Sequence, residues 1–315
     1  MNRETHDRRF GRAVVRLFSS AVNLALLLAL LLCLTFGLYA LWDSRQVYQA
    51  AQTELFEIYK PTGSDGASFA ELREQNHEVI GWLTVYGTGI DYPIVQAENN
   101  SKYLTMDAGG NFAASGSIFL DCKNDPAFQD FNSIVYGHHM DGGVMFGDVG
   151  EFADETYFQS HRYGYLHAGD RDYGLEFFAF AEIDAYNSAI YAPGLEEPQD
   201  CQAYLATLDS LAMFTRQVDL TADDRIVLLS TCTQDITNGR HILAARILED
   251  VPADPFEKPL PETPKRQFRV DSDSLLQRIR RFPTLVWAVL ILLGLLLILL
   301  IHNLILKAIR SKKSE

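Results

Sequence analysis

The sequence predicts a mainly β domain, a sandwich or barrel with peripheral helices, held between two membrane-spanning helices. Three observations carry this. Short apolar runs recur between residues 81 and 248, divided by clusters of glycine, asparagine and proline, the punctuation of a many-stranded β domain. No charged residue lies between Arg16 and Asp43, and none between Arg281 and Lys307. Each gap exceeds the roughly 20 apolar residues that cross a bilayer as a helix.

Residues 1–16 form a basic N-terminus with Arg3, Arg8, Arg9, Arg12 and Arg16, expected on the cytoplasmic side. Residues 17–42 form the first span. Its apolar stretch is longer than that of a usual signal peptide, and no small-residue cleavage site stands out at Leu38–Trp42, so it reads as a retained anchor. Residues 43–67 are juxtamembrane: Ser44 to Lys60 has few breakers and reads as a helix, and Pro61–Gly66 as a loop. Residues 68–250 form the extracytoplasmic domain. It opens with a helix over Ser68–Asn76, capped by Ser68.

Strands are expected at Gly81–Val85, Tyr92–Gln96, Ser117–Asp121 and Asn132–Tyr136, then a short helical region over Met145–His161. Leu175–Ile183 and Asn187–Tyr191 read as further strands. Cys201–Arg216 reads as a helix, with Tyr204, Leu205, Leu208, Leu211 and Ala212 at helical spacing. Ile226–Leu229 reads as a buried strand, Thr237–Gly239 as a turn, and the run from His241 to Leu248 as the closing strand. Residues 251–281, rich in proline and charge, read as a stalk, 282–306 as the second span, and 307–315 as a basic cytoplasmic tail with Lys307, Arg310, Lys312 and Lys313. Both termini are then cytoplasmic; Arg278, Arg280 and Arg281 run against that sign.

Between the two basic ends, 18 Lys and Arg face 38 Asp and Glu, a formal charge of −20. Such a surface repels nucleic acid and anionic lipid. Of the four cysteines, Cys33 falls in the first span, leaving Cys122, Cys201 and Cys232, so at least one thiol outside the membrane is free. The sequence gives no positive reason for a Cys122–Cys201 bridge. No zinc spacing and no calcium-loop spacing of acids is visible, so no metal and no cofactor is expected.

The chemistry concentrates at three strand ends. Cys232 ends the run from Ile226, Arg240 starts the run that follows, and His138 ends the run Ile134–Gly137. A thiol, an imidazole and a guanidinium together suit acyl transfer: Cys232 as nucleophile, His138 as acid and base, Arg240 as oxyanion clamp. The bland readings are a buried structural cysteine and a surface arginine. His139 rivals His138, but neighbours on an extended chain face opposite ways, so only one of them points at Cys232. Arg246 rivals Arg240 from farther along the strand. Ser230 and Thr231 are candidate substrate-binding residues, or simply satisfy strand-end backbone groups. Asp235 is better suited to forming the turn than to orienting His138 or Arg240. Tyr103, Leu104 and Phe146 fit substrate contact and core packing equally.

Several ordered motifs over residues 68–250 resemble the sortases, and within them class B: Asn76–Trp82 (NHEVIGW), Ile90–Gln96 (IDYPIVQ), Gly116–Asp121 (GSIFLD), Tyr136–Met140 (YGHHM) and Leu229–Cys232 (LSTC) followed by Arg240. The resemblance implies an eight-stranded β-barrel and a membrane-anchored cysteine transpeptidase of the Gram-positive surface. It implies substrates bearing a C-terminal sorting signal, cleaved after a Thr through a thioacyl-enzyme and passed to an amine. That amine belongs to a peptidoglycan precursor in wall anchoring or to a pilin lysine in pilus assembly. The core motifs favour the first. A C-terminal span, more usual in class C pilus enzymes, favours the second, although no class C histidine sequence or lid motif is visible. Two other readings stand beside it: a cysteine peptidase or wall hydrolase with water as acceptor, and a non-catalytic membrane-tethered binding module.

Overall fold

Helix α1 (Arg3–Ala50) runs unbroken through the first uncharged stretch, which contains no proline to stop it. Its segment Phe18–Gln49 has mean hydropathy 2.6, buries none of its apolar window, and is long and apolar enough to cross a membrane. The computed structural model describes residues 3–61, 67–232 and 239–256, together with Gly294. The second uncharged stretch, 282–306, therefore lies outside the described residues apart from Gly294.

The helix expected over Ser44–Lys60 is not a separate element. No breaker follows Trp42, so α1 continues to Ala50. Gln52 then turns extended, and two single 3-10 turns follow at Thr53–Leu55 and Glu57–Tyr59. Ala51, Phe56 and Tyr59 are buried in the domain. Helix α2 (Ala67–Gln75) starts one residue before Ser68, so Ser68 is a helical residue and not the cap. Phe69 and Leu72 of α2 pack with Trp82, Val95 and Phe119 on one outer face of the sheet.

The strands are β1 (Val79–Val85), β2 (Asp91–Val95), β3 (Ile118–Leu120), β4 (Asn132–Tyr136), β5 (His139–Met140), β6 (Val144–Met145), β7 (Tyr163–Ala168), β8 (Arg171–Asp184), β9 (Ala212–Thr215), β10 (Ile226–Cys232) and β11 (Gly239–Leu248). Their order is β11-β10-β4-β3-β2-β1-β7-β8, and β11 pairs with β8 to close an eight-stranded barrel; β9 adds to β8 outside the circuit. The β4–β10 and β2–β3 pairs are parallel, the others antiparallel. This is the barrel that the resemblance implied.

Alternation builds two layers. Val227 and Leu229 of β10 join Leu243 and Ala245 of β11 in the barrel core, while Ile226, Leu228, Ile242 and Ala244 pack outward with Cys201, Tyr204 and Leu208 of helix α4 (Pro198–Leu211). Full burial of each such leucine contributes about 1.5–3 kcal/mol. The expected helix over Cys201–Arg216 ends early, because Ala212–Thr215 pairs with Ala179–Ala181 of β8. Sheet pairing there overrides the helical spacing. Asn187–Tyr191 is a turn, not a strand: the Asn187 side chain accepts from the Ala189 amide, and its carbonyl from Ile190 and Tyr191. Strand β7 had no counterpart in the sequence reading. Cys122 and Cys201 are both free thiols.

Between β4 and β7 lie the β5–β6 hairpin, a 3-10 segment Gly147–Ala153, and helix α3 (Glu155–Ser160), capped by Asp154. Gly142 and Gly143 carry φ of 75° and 74°, a conformation that the hairpin turn needs and side chains resist. After β11 the chain stays on the barrel. Tyr86 donates to the Pro252 carbonyl at 3.2 Å, and the Phe256 ring stacks on His161 with centroids 4.8 Å apart.

Candidate active site

Strand β10 lies between β4 and β11, and this order assembles the site. On the parallel side, Tyr136 pairs with Ser230, and the Gly137 amide donates to the Ser230 carbonyl at 3.1 Å. One residue beyond Gly137 stands His138; two beyond Ser230 stands Cys232. On the antiparallel side, Arg240 is directly opposite Cys232 and His241 opposite Thr231. Neighbouring strands lie about 4.8 Å apart, so His138, Cys232 and Arg240 share one end of the barrel on adjacent chains. Asp235 and the turn residue Thr237 lie outside the described residues.

The His138 ring is half-exposed, with Nε2 3.1 Å from the Leu104 carbonyl oxygen. A carbonyl only accepts, so in the neutral ring this bond puts the proton on Nε2 and leaves Nδ1 as the acceptor. The carbonyl is well buttressed. Leu104 closes the 3-10 turn Lys102–Leu104, in which Tyr103 donates to Glu78 at 2.6 Å and accepts from Asn76 at 2.8 Å, and Lys102 pairs with the same carboxylate. Burial, then the Glu78 bond, pushes the Tyr103 phenol up. Burial pushes the Glu78 carboxyl up, but bonds from Lys102 and Tyr103 outweigh it and hold it below its ordinary range. Tyr103 is buried with its hydroxyl held by these two bonds, and Phe146 is wholly buried in the barrel core. Leu104, 41% exposed, is the one of the three that stays at the surface beside His138.

The adjacent histidines part as an extended chain requires. His139 begins β5, pairs with Met145, and approaches the glycine at 150, with a buried Nδ1 that has no hydrogen-bond partner among the described residues. The His241 ring lies against the same glycine, so that a side chain there would meet both rings. His241 is buried, 3.2 Å from Glu182 Oε1. Sequence reasoning missed His241, although its place next to Arg240 in an apolar run was a signal that it faces inward.

Arg240 is half-buried and donates from Nη1 to the Gly239 carbonyl at 3.1 Å; among the described residues it pairs with no carboxylate. Its rival Arg246 pairs with Glu176 at 2.9 Å. Ser230 and Thr231 are both buried. The Ser230 hydroxyl lies 2.9 Å from that of Tyr191, whose ring stacks on Tyr136, and Thr231 Oγ1 has no partner among the described residues. Neither therefore presents an exposed hydroxyl. Tyr136 in turn donates to Asp121 at 3.0 Å, and burial, then the Asp121 carboxylate, raises its phenol far above the ordinary value. Among the described residues no group of three or more His, Cys, Asp or Glu is arranged to hold a metal.

No family model matches the chain. Sortase B of Listeria monocytogenes is 34% identical over 212 residues, spanning 65% of this chain and 82% of that protein. Sortase B from the type II pilus of Streptococcus pneumoniae, solved by crystallography, is 50% identical over 58% of this chain and 99% of its own, with a TM-score of 0.52. A Streptococcus pyogenes class B sortase involved in pilus biogenesis is 34% identical over 58% of this chain and 100% of its own, with a TM-score of 0.53.

Proposed function

The chain belongs to the sortase B family, a family of cysteine transpeptidases, and on that premise we propose that Cys232, His138 and Arg240 carry its reaction at the shared end of β4, β10 and β11. The observation that carries this reading is the strand order, with Arg240 in register with Cys232 on one side and His138 following the last β4 rung on the other.

An ordinary thiol, with pKa about 8.5, is mostly protonated at neutral pH, so the nucleophile needs an adjacent base. His138 Nδ1, the acceptor nitrogen when Nε2 is held by Leu104, serves as that base. The Cys232 thiolate attacks the carbonyl carbon after the sorting-signal Thr, and the negative charge passes to the carbonyl oxygen. Arg240 stabilises that oxyanion, an interaction worth about 2.7–4 kcal/mol in the transition state. As the tetrahedral intermediate collapses, the C–N bond breaks, the amine leaves with a proton from His138, and a thioester remains. An incoming amine then gives its proton to His138 and attacks the thioester; collapse forms the new amide and returns the Cys232 thiolate.

The acceptor in this reading is a pilin lysine, because the 50% identical relative comes from a pilus and a second relative is involved in pilus biogenesis. An excess of 38 acids over 18 bases between the termini also favours a cationic acceptor over an anionic one. In this reading α1 anchors the enzyme and the barrel lies outside the cell. The uncharged stretch before Lys307 supplies a second span, and both basic termini stay in the cytoplasm.

The test takes the full chain in detergent with a panel of fluorogenic sorting-signal peptides, with and without a lysine-bearing acceptor, alongside Cys232→Ala. Cysteine-dependent cleavage with an isopeptide-linked product is the expected result. Transfer only to a peptidoglycan precursor moves the function to wall anchoring, and cleavage with water alone as acceptor makes the chain a peptidase.

A further inference from the structure

One phenol joins the start of the domain to the hairpin that follows His138. The Tyr92 hydroxyl donates to the Ala51 carbonyl at 2.8 Å and accepts from the Met145 amide at 2.9 Å, and both bonds are buried. Tyr92, Ala51 and Met145 are themselves 3%, 2% and 2% exposed. Ala51 follows directly on the last residue of α1, and its own amide still bonds back to Val47 and Tyr48. Met145 holds φ at 56°, a left-handed conformation uncommon for a residue with a side chain. It pairs with His139 across the hairpin, and the next amide, of Phe146, donates to the His138 carbonyl at 3.0 Å. The contacts therefore run without a gap from the end of α1, through Tyr92 and Met145, to the backbone of His138.

We propose that Tyr92 is a positioning residue, which clamps the β5–β6 hairpin to the chain leaving the anchor helix and so holds His138 in line with Cys232. The inference rests on His138 acting at Cys232, as proposed above. Without the phenol oxygen, Met145 loses a partner for a buried amide in an unfavourable conformation, and the hairpin loses its tie on that side. Displacement of a catalytic group by about 1 Å costs up to roughly a hundredfold in rate. The molecule also supplies a control, since Tyr86 makes a bond of the same kind to Pro252 on the segment that follows β11.

The experiment compares full-length wild type, Tyr92→Phe and Tyr86→Phe in detergent, measuring kcat and KM for peptide transfer and amide exchange by mass spectrometry. Tyr92→Phe should lower kcat about tenfold or more, leave KM within about twofold, and speed exchange over residues 138–146. Tyr86→Phe should leave kcat within about twofold and speed exchange only over 251–256. Wild-type kcat in Tyr92→Phe, or an equal loss in Tyr86→Phe, overturns the proposal. Exchange needs no turnover, so the two claims fail separately: unchanged exchange over 138–146 refutes the clamp, whereas faster exchange with an active His138→Ala refutes the catalytic assignment on which it rests. Should Tyr92→Phe not fold, the wild-type profile decides, because a Met145 amide that exchanges as fast as those of Gly142 and Gly143 is not clamped.

Discussion

Strand β11 carries an arginine near each end, and the two live under opposite rules. At the far end, Arg246 Nη2 meets Glu176 at 2.9 Å, a carboxylate 5% exposed that also takes two bonds from Arg162. At the near end, Arg240 meets its neighbour's carbonyl and, among the described residues, no carboxylate. Acids outnumber bases two to one in this domain, yet none of the described ones is paired with this guanidinium. The paired arginine stabilises the fold, because a buried carboxylate without its cation is costly. In the proposed reading Arg240, which meets no carboxylate among the described residues, serves a negative charge that exists only during reaction.

The largest test of this contrast removes Cys232, the nucleophile of the proposed reading. Cys232→Ala should reduce peptide cleavage by at least about a thousandfold while the thermal melt stays put; measurable turnover would leave Arg240 nothing to assist. Next, Arg240→Ala should lower kcat by about 100- to 1,000-fold with little change in melting temperature. Arg246→Met should do the reverse, keeping kcat within about twofold and lowering stability by about 1–3 kcal/mol in denaturant titrations, since Glu176 retains Arg162 but loses one partner. If the two arginine variants behave alike, the distinction between the ends of β11 is lost.

The smallest expected effect concerns the support beneath the His138 contact. Glu78 titrates lower in the folded chain than in the unfolded one, so its contribution is present above its ordinary pKa of 4.5 and fades as pH falls through the folded value. Melting curves of Glu78→Gln and wild type should therefore differ slightly at pH 7 and converge in strong acid. A gap that persists at pH 2 would mean that the carboxylate charge is not what holds the Leu104 turn.

Local pattern made much of this readable in advance. The runs ending at Tyr136 and Cys232 have apolar centres, Ile134–Val135 and Ile226–Leu229, as strands buried on both faces do, and so β4 and β10 could be found together with the residues that end them. What escaped was decided by partners distant in sequence. The extension of β8 by Ala212–Thr215 depends on the edge it finds, and the helical spacing of the preceding residues masks it. Strand β7 alternates buried and half-buried residues and contains a glycine, so its signal was weak until β1 and β8 flanked it. Asn187–Tyr191 looks extended by composition, but an asparagine side chain folds it into a turn. At the site, the Leu104 carbonyl beside His138 has no sequence signature at all, since every residue has one.

The parallel pairing of β4 with β10 has a consequence for how the enzyme matures. Tyr136 and Ser230 come together only after the whole intervening chain has been made, and such distant contacts form late in folding because the loop-closure entropy must be met first. A chain emerging N-terminus first therefore carries β4 long before β10, and the strand ends that bear His138, Cys232 and Arg240 come onto adjacent strands only as β10 seats and β11 closes against β8. In the proposed reading, the reaction therefore waits on that closure, since it alone sets Arg240 opposite Cys232.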